Sequence, residues 1–187
     1  NRIEITNLSC CGAGIYVRTC KLTIDSVPDA AGSLCARAGR YGAGIGGYCS
    51  ANGEIVIAGG DVSAYGGYYS AGIGVGQYNV FHHANKPITI NGGHVLARGY
   101  APSVPAIGGE TASTSGETIR ITGGTVDAGD GWIGTTSGTG CETVFTGGSI
   151  YAGSSNVNAA PSNGTARVYR VTVEGLEGLV DLEGLEG

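Results

Sequence analysis

A ten-residue phrase, I-x-I-x-G-G-x-V-x-A, returns several times along this chain. Its copies begin at Leu22, Ile55, Ile88, Ile119 and Thr143, at intervals of 33, 33, 31 and 24 residues. A shorter phrase follows the longer one, as GAGIG at 42–46, AGIG at 71–74, AIGG at 106–109 and WIGT at 132–135. Units of this length are too thin to bury an apolar face alone, and they do so by stacking on one another. The repeat therefore predicts a solenoid.

Apolar residues alternate with polar ones in both halves of the long phrase, which is the pattern of a strand with one buried face. In the copy at 88–97, the residues expected to point inward are Ile88, Ile90, Val95 and Ala97, and those expected to point outward are Thr89, His94 and Leu96. The glycine pair between the halves permits a positive φ and so predicts a corner. The small residues of the short phrase predict a third wall, where successive coils approach closely.

We therefore expect an all-β fold, a right-handed parallel β-helix (solenoid) of about six coils, each with three short strands. An antiparallel sandwich is the alternative, but its hairpins do not account for a phrase that returns every 31–33 residues. The β-helix domain is expected to span residues 1–173. Residues 174–187, which are acidic and rich in glycine and leucine, are expected to form a C-terminal extension or linker.

The composition narrows the functional classes open to the chain. Its 187 residues include 37 glycines, only 13% are charged, and the formal net charge is −5. This balance provides no basic surface for nucleic acid. No run of residues approaches the ~18 apolar positions of a membrane span. We therefore expect neither a nucleic-acid partner nor a membrane span in this chain.

Five of the six cysteines fall within the first 49 residues, and none belongs to a Cys-x-x-Cys pair. This clustering predicts disulfides at one end of the solenoid and hence an oxidising, extracellular setting. Aligning the GAGI phrases at 12–15 and 42–45 places Cys20 near Cys49. With coils ~4.8 Å apart, these two residues form the first expected bridge. Buried free thiols are the alternative.

A second bridge is expected between neighbouring coils. Aligning Leu8 with Leu34 places Cys10 beside Cys35, with Cys11 as the alternative partner. The same coil spacing brings such a pair within the Cα separation that a disulfide requires.

The phrases ITINGGHVLA, IRITGGTVDA and AGIG resemble the GG-x-V-x-A and AGIG repeats of right-handed parallel β-helix proteins of bacterial cell surfaces. The chain is similar in this respect to the carbohydrate-binding, pectate-lyase-like β-helix family, over residues 22–153. The resemblance implies a non-catalytic, extracellular or cell-surface module that binds a polysaccharide or a host glycan. A structural stalk or adhesin that contacts a host surface protein is the first alternative, and a polysaccharide lyase is the second.

The aromatic residues indicate where such a ligand would bind. The chain has ten tyrosines and one tryptophan but only two phenylalanines. Tyrosine is favoured where one end of the ring stays in water. The candidate ligand-binding residues, at corners of three successive coils, are Tyr65, Tyr68, Tyr69, Tyr100 and Trp132. Sugar rings dock on exposed aromatic faces through their CH groups. We therefore predict a glycan site on this edge rather than on a flat sheet face.

Two carboxylates, Asp127 and Asp130, lie on one predicted corner and are the candidate calcium ligands. A pectate-type lyase would also need a base on the same face, for which Arg98 is the nearest candidate by register. Carboxylates in a turn are more often solvated or bound to the backbone than catalytic. We therefore expect no enzyme activity and no cofactor, with calcium as the metal ion for which Asp127 and Asp130 are candidate ligands.

Overall fold

The structure, a computed structural model, describes residues 2–27, 32–48, 52–76, 86–109, 117–135, 141–153 and 167–171. Within these ranges the regular secondary structure consists of strands, and no helix is long and apolar enough to cross a membrane. The strands are β1 (Arg2–Thr6), β2 (Ile15–Tyr16), β3 (Lys21–Ile24), β4 (Ser33–Arg37), β5 (Ile45–Gly46), β6 (Glu54–Ile57), β7 (Asp61–Tyr65), β8 (Ile73–Gly74), β9 (Ile88–Ile90), β10 (His94–Arg98), β11 (Ile107–Gly109), β12 (Glu117–Ile121), β13 (Thr125–Asp127), β14 (Ile133–Thr135), β15 (Cys141–Phe145), β16 (Ser149–Gly153) and β17 (Arg167–Val171).

These strands form three parallel sheets, which the chain visits in turn. The first sheet has the order β1-β4-β7-β10-β13-β16-β17, the second β2-β5-β8-β11-β14 and the third β3-β6-β9-β12-β15. From β1 to β13, each strand pairs with the strand three places further along the chain, so the coils stack in sequence order. This arrangement confirms the all-β class and the parallel β-solenoid. The right hand of the coil stays a prediction.

The register of the sheets follows the two repeated phrases. Successive strands of the third sheet pair the first residues of the long phrase, which are Leu22, Ile55, Ile88, Ile119 and Thr143. The second sheet pairs the isoleucines of the short phrase, which are Ile15, Ile45, Ile73, Ile107 and Ile133. Equivalent side chains therefore stack into columns along the solenoid axis, as the repeat predicts.

The core is built from the inward-facing residues of all three sheets. In strands β9 and β10, the residues with no exposed area are Ile88, Ile90, Val95 and Ala97. Their alternate neighbours are half-buried at Thr89 and Leu96 and exposed at His94. The predicted alternation is confirmed. Because each coil contributes one or two apolar residues per sheet, the core is a continuous column rather than a cluster within one unit.

The second glycine of each pair turns the corner between the third and first sheets. Its φ is +83° at Gly60, +80° at Gly93, +78° at Gly124 and +87° at Gly148. Such values lie in the left-handed region, where a Cβ costs roughly 1–2 kcal/mol. A Cβ on Gly93 would also lie 2.4 Å from the carbonyl oxygen of Gly60 in the preceding coil. The backbone conformation and the close approach of the coils therefore both require glycine here.

The number of complete coils is lower than the six expected. Within the described residues the second and third sheets contain five strands each, and β16 and β17 extend the first sheet alone. Residues 154–166, which connect these two strands, lie outside the described residues, as does the predicted extension at 174–187. The predicted limits of the β-helix domain, 1–173, therefore stay a prediction.

The predicted bridge from Cys10 (or Cys11) to Cys35 is wrong, because these cysteines are free thiols. Leu34 pairs with Ile3 rather than with Leu8. This shift of the register places Cys35 within β4, opposite Glu4 of β1. The two earlier cysteines lie instead in the turn after β1, so the residue alignment that brought the thiols together does not exist.

The predicted Cys20–Cys49 bridge is also not formed. Cys20 is an exposed free thiol just before β3, and Cys49 lies outside the described residues. The four free thiols, Cys10, Cys11, Cys20 and Cys35, therefore give no support to an oxidising environment.

Replacing Gly93 by alanine is expected to lower the free energy of unfolding by roughly 2–3 kcal/mol, because the left-handed backbone and the Gly60 oxygen both penalise a Cβ. Urea unfolding followed by circular dichroism measures the loss. Gly32→Ala is the matched control, since a Cβ at Gly32 meets no atom within 4 Å among the described residues. Its effect should stay within about 0.5 kcal/mol. Equal losses in the two variants would contradict the corner assignment.

Candidate ligand-binding surface

Four tyrosines gather at the corner between the first and second sheets, and we call them the tyrosine cluster: Tyr41, Tyr68, Tyr69 and Tyr100. They come from three successive coils. The ring centroid of Tyr68 lies 4.0 Å from that of Tyr69, 4.9 Å from that of Tyr100 and 6.3 Å from that of Tyr41. All three contacts are edge-to-face, the arrangement that the aromatic quadrupole favours. Tyr68 is therefore the centre of the cluster.

The turn that carries the central ring is fixed by its neighbours. The Gly67 N–H donates to the carbonyl oxygen of Gly42 in the preceding coil at 3.0 Å, and the Ser70 N–H donates to the carbonyl oxygen of Gly67 at 2.9 Å. The Ser70 hydroxyl, which is fully buried, donates to the carbonyl oxygen of Tyr68 at 3.2 Å. Tyr69 has a φ of +54°, a conformation that is strained for a bulky side chain. The fold therefore holds the exposed Tyr69 in place at some cost in local backbone energy.

The cluster remains partly open to solvent. Tyr100 is 57% exposed and Tyr69 is 37% exposed. A hydrogen bond with Tyr69, followed by partial burial, raises the pKa of the Tyr68 hydroxyl, and the nearby Arg40 charge opposes this effect. The phenol therefore stays neutral around pH 7, so it is available both to donate and to accept a hydrogen bond.

Arg40 adds a positive charge to the rings. Its guanidinium carbon lies 5.0 Å from the centroid of the Tyr41 ring and 5.6 Å from that of Tyr68, within the range of a cation–π interaction. An open groove of about 670 Å³ runs beside it, between the turn at residues 7–10 and the rings of Tyr68 and Tyr100. Aromatic faces, hydroxyl groups and one guanidinium thus share a single concave surface.

The structure brings together three of the five predicted ligand-binding residues, Tyr68, Tyr69 and Tyr100. Tyr65 lies in β7 instead, where the Arg37 guanidinium carbon sits 4.0 Å from the centroid of its ring. Trp132 is half-buried, and no ring contact joins it to the cluster in the described part of the chain. Its buried indole N–H has no hydrogen-bond partner there.

Sequence reasoning missed Tyr41 and Arg40, although a signal for them existed. Ile45 pairs with Ile73, and counting back four residues from each reaches Tyr41 and Tyr69. Counting back five reaches Arg40 and Tyr68. Equal distance from the short phrase therefore predicts corner neighbours, and applying it systematically would have added both residues.

A second cavity, of about 370 Å³, lies on the other side of Tyr100 and contains Arg98 and Asp130 in its lining. Arg98 is engaged with the next coil. Its Nη2 lies 3.0 Å from the Asp127 Oδ2, and its Nη1 donates to the Asp127 carbonyl oxygen at 2.8 Å. A guanidinium held in this way stays charged and donates hydrogen bonds, so it is poorly suited to the role of a lyase base.

The carboxylates at this corner do not fit a calcium site. One oxygen of Asp127 faces Arg98, and the other accepts a hydrogen bond from the Gly129 N–H at 2.8 Å. No group of three or more His, Cys, Asp or Glu residues is placed to hold a metal ion in the described ranges. Calcium binding by Asp127 and Asp130 therefore stays a prediction that the geometry does not support.

No family model, curated protein or solved structure matches this chain. The parallel β-solenoid therefore rests on the strand pairing, and the narrower family resemblance stays a prediction.

Asp127→Asn is expected to lower the free energy of unfolding at pH 7 by about 0.5–1 kcal/mol, because the amide keeps the Gly129 hydrogen bond but loses the charge that faces Arg98. Burial raises the pKa of Asp127, but the Arg98 hydrogen bond, the Gly129 N–H and the Arg98 charge lower it overall. A carboxylate with a lowered pKa stabilises the fold above its unfolded pKa, and this stability is lost as the pH falls through the folded value. The deficit should therefore shrink below about pH 4.

Urea unfolding of both proteins from pH 7 to pH 3 measures this dependence. Asp130→Asn is the control, because Asp130 is exposed and forms no ion pair in the part of the chain that the structure describes. A deficit for Asp127→Asn that is the same at every pH would show that the ion pair does not contribute.

Proposed function

We propose that this chain is a non-catalytic carbohydrate-binding module of a secreted or cell-surface protein, and that the tyrosine cluster is its binding surface. The observation that carries the proposal is the gathering of four tyrosine rings from three coils beside an open groove. Exposed rings supply apolar faces for the CH groups of a sugar, and nearby hydroxyls supply hydrogen bonds for its OH groups.

The placement of the rings favours binding over packing as their role. The core of the solenoid is filled by small and β-branched residues with Phe145 as its large buried ring, whereas the cluster lies on the corner outside that core. Contiguous exposed apolar surface on a soluble protein marks interaction sites more often than not. The strained φ of Tyr69 fits the same interpretation, since backbone strain collects where function requires it.

The flat sheet faces are poorer candidates. Outward positions such as Ser63, Thr89, Thr125 and Ser149 are half-buried and small, so they offer hydrogen bonds but little apolar area for a sugar ring. A ligand that needs both kinds of contact is better served by the corner.

The expected affinity of one module is low. Each stacked ring contributes ~1 kcal/mol, so two or three rings give binding in the millimolar to high-micromolar range. Such affinity suits a polysaccharide or host glycan that presents many copies of the same unit, because multivalent attachment multiplies it. The secreted or cell-surface location belongs to the proposal and rests on the repeat resemblance, since Cys10, Cys11, Cys20 and Cys35 are free thiols.

Tyr100→Ala is expected to weaken retention on an immobilised glycan, selected first on a glycan array, by about five-fold, and Tyr68→Ala with Tyr100→Ala by more than about ten-fold. Tyr16→Ala is the matched control, because Tyr16 is 51% exposed but lies in β2, away from the cluster. Affinity electrophoresis measures retention, and thermal unfolding checks that each variant is folded.

Two outcomes would overturn the proposal. If no glycan on the array is retained, the stalk or adhesin alternative gains. If Tyr16→Ala weakens retention as much as Tyr100→Ala, the cluster is not the binding surface.

A further inference from the structure

Two adjacent thiols, Cys10 and Cys11, lie at the same corner, one coil before the tyrosine cluster. Both are exposed free thiols in the turn between β1 and β2. Cys10 also lines the groove, together with Arg40 and Tyr68. Counting back from the isoleucine of the short phrase places this pair in the columns that Arg40 and Tyr41 occupy in the next coil.

The turn that carries the two thiols is pinned on both sides. The Asn7 Oδ1 accepts hydrogen bonds from the Ser9 N–H at 2.9 Å and from the Ser9 hydroxyl at 2.6 Å, and the Asn7 Nδ2 donates to the Ala13 carbonyl oxygen at 2.9 Å. The Gly39 N–H of the next coil donates to the Gly12 carbonyl oxygen at 2.8 Å. The backbone is therefore held on either side of the pair, so binding of both sulfurs to one atom loses little conformational entropy.

The two thiols belong to residues adjacent in sequence, and the neighbour affects the pKa of Cys10. A hydrogen bond with the Cys11 thiol, with smaller effects of burial and of the Cys11 charge, raises the pKa of Cys10, and the Arg40 charge partly opposes the rise. A thiol of raised pKa is mostly protonated at pH 7 and is a poor nucleophile. Covalent catalysis by Cys10 alone is therefore disfavoured.

We propose that Cys10 and Cys11 form a dithiol site for thiophilic acceptors that bind two sulfur atoms at once, of which trivalent arsenic is the representative. With an organoarsenic oxide, R–As=O, both S–H bonds break and two As–S bonds form, while the oxygen leaves with the two protons as one water molecule. Arsenic stays trivalent, so the step requires no oxidant or reductant. Soft acceptors prefer sulfur ligands, and this site does not depend on the proposed glycan function.

Binding through two sulfurs distinguishes this pair from Cys35 and Cys20. Cys35 is buried in the first sheet, and Cys20 has no cysteine adjacent to it in sequence. When one sulfur has bound, the second meets the arsenic at a high effective concentration, which strengthens attachment by about 10²–10⁴ over a single thiol.

The test uses the reduced full chain and phenylarsine oxide. Intact-mass spectrometry should show one phenylarsenic group, added with loss of one water, which survives excess monothiol and is removed by a dithiol such as 2,3-dimercaptopropanol. Cys10→Ser and Cys11→Ser should each weaken this attachment by at least about 100-fold. Cys20→Ser is the matched control, an exposed thiol whose loss should leave attachment unchanged.

A second experiment measures protection of the cysteines in the unmutated protein, so its result does not depend on whether the variants fold. Phenylarsine oxide should protect Cys10 and Cys11 from iodoacetamide and leave Cys20 reactive, as read by peptide mapping. The proposal is overturned if the unmutated chain takes up no monothiol-resistant adduct, if Cys10→Ser retains it in full, or if the protected cysteines are others.

Discussion

The structure depends on parallel backbone pairing between equivalent strands of successive coils. Each coil has an inward face that only its neighbours can cover. In the structure β1 pairs with β4 alone, and Ile3 is 60% exposed, whereas Val62 in the same inward column, whose strand is paired on both sides, is 1% exposed. Stability therefore accumulates along the axis rather than within any one repeat. The side chains at the corner between the first and second sheets can vary as long as the strands stay in register.

Side chains with different functional groups lie together at this corner. Along the corner between the first and second sheets, one column runs from Cys10 through Arg40 to Tyr68. Thiol, guanidinium and phenol thus occupy equivalent places one coil apart, along the side of one groove. A solenoid places equivalent positions of successive repeats next to each other in space. Repeats with the same backbone structure can therefore carry different functional groups along one edge.

The strands that carry the two repeated phrases, and their register, follow from the sequence alone. Alternation decides which residues are buried, and it holds at Ile88, Val95 and Ala97. Successive side chains of a strand point to opposite faces, so apolar residues at alternate positions lie on the same face. The glycine pair decides the corner, since the φ of Gly93 excludes nearly every other residue. Both signals are local and repeat with the coil, so no knowledge of distant contacts is needed to apply them.

Contacts between corners were decided by the tertiary structure. The predicted pairing of Cys10 with Cys35 failed because it needed the alignment of a turn, and turns have no alternation to fix their register. The ion pair between Arg98 and Asp127 depends likewise on how far each corner reaches toward the next coil. The sequence therefore determined the solenoid, its inward columns and the edge that carries the aromatic residues. Which side chains meet on that edge depends on turn geometry, because loop conformation is set by hydrogen bonds to neighbouring coils rather than by a periodic pattern.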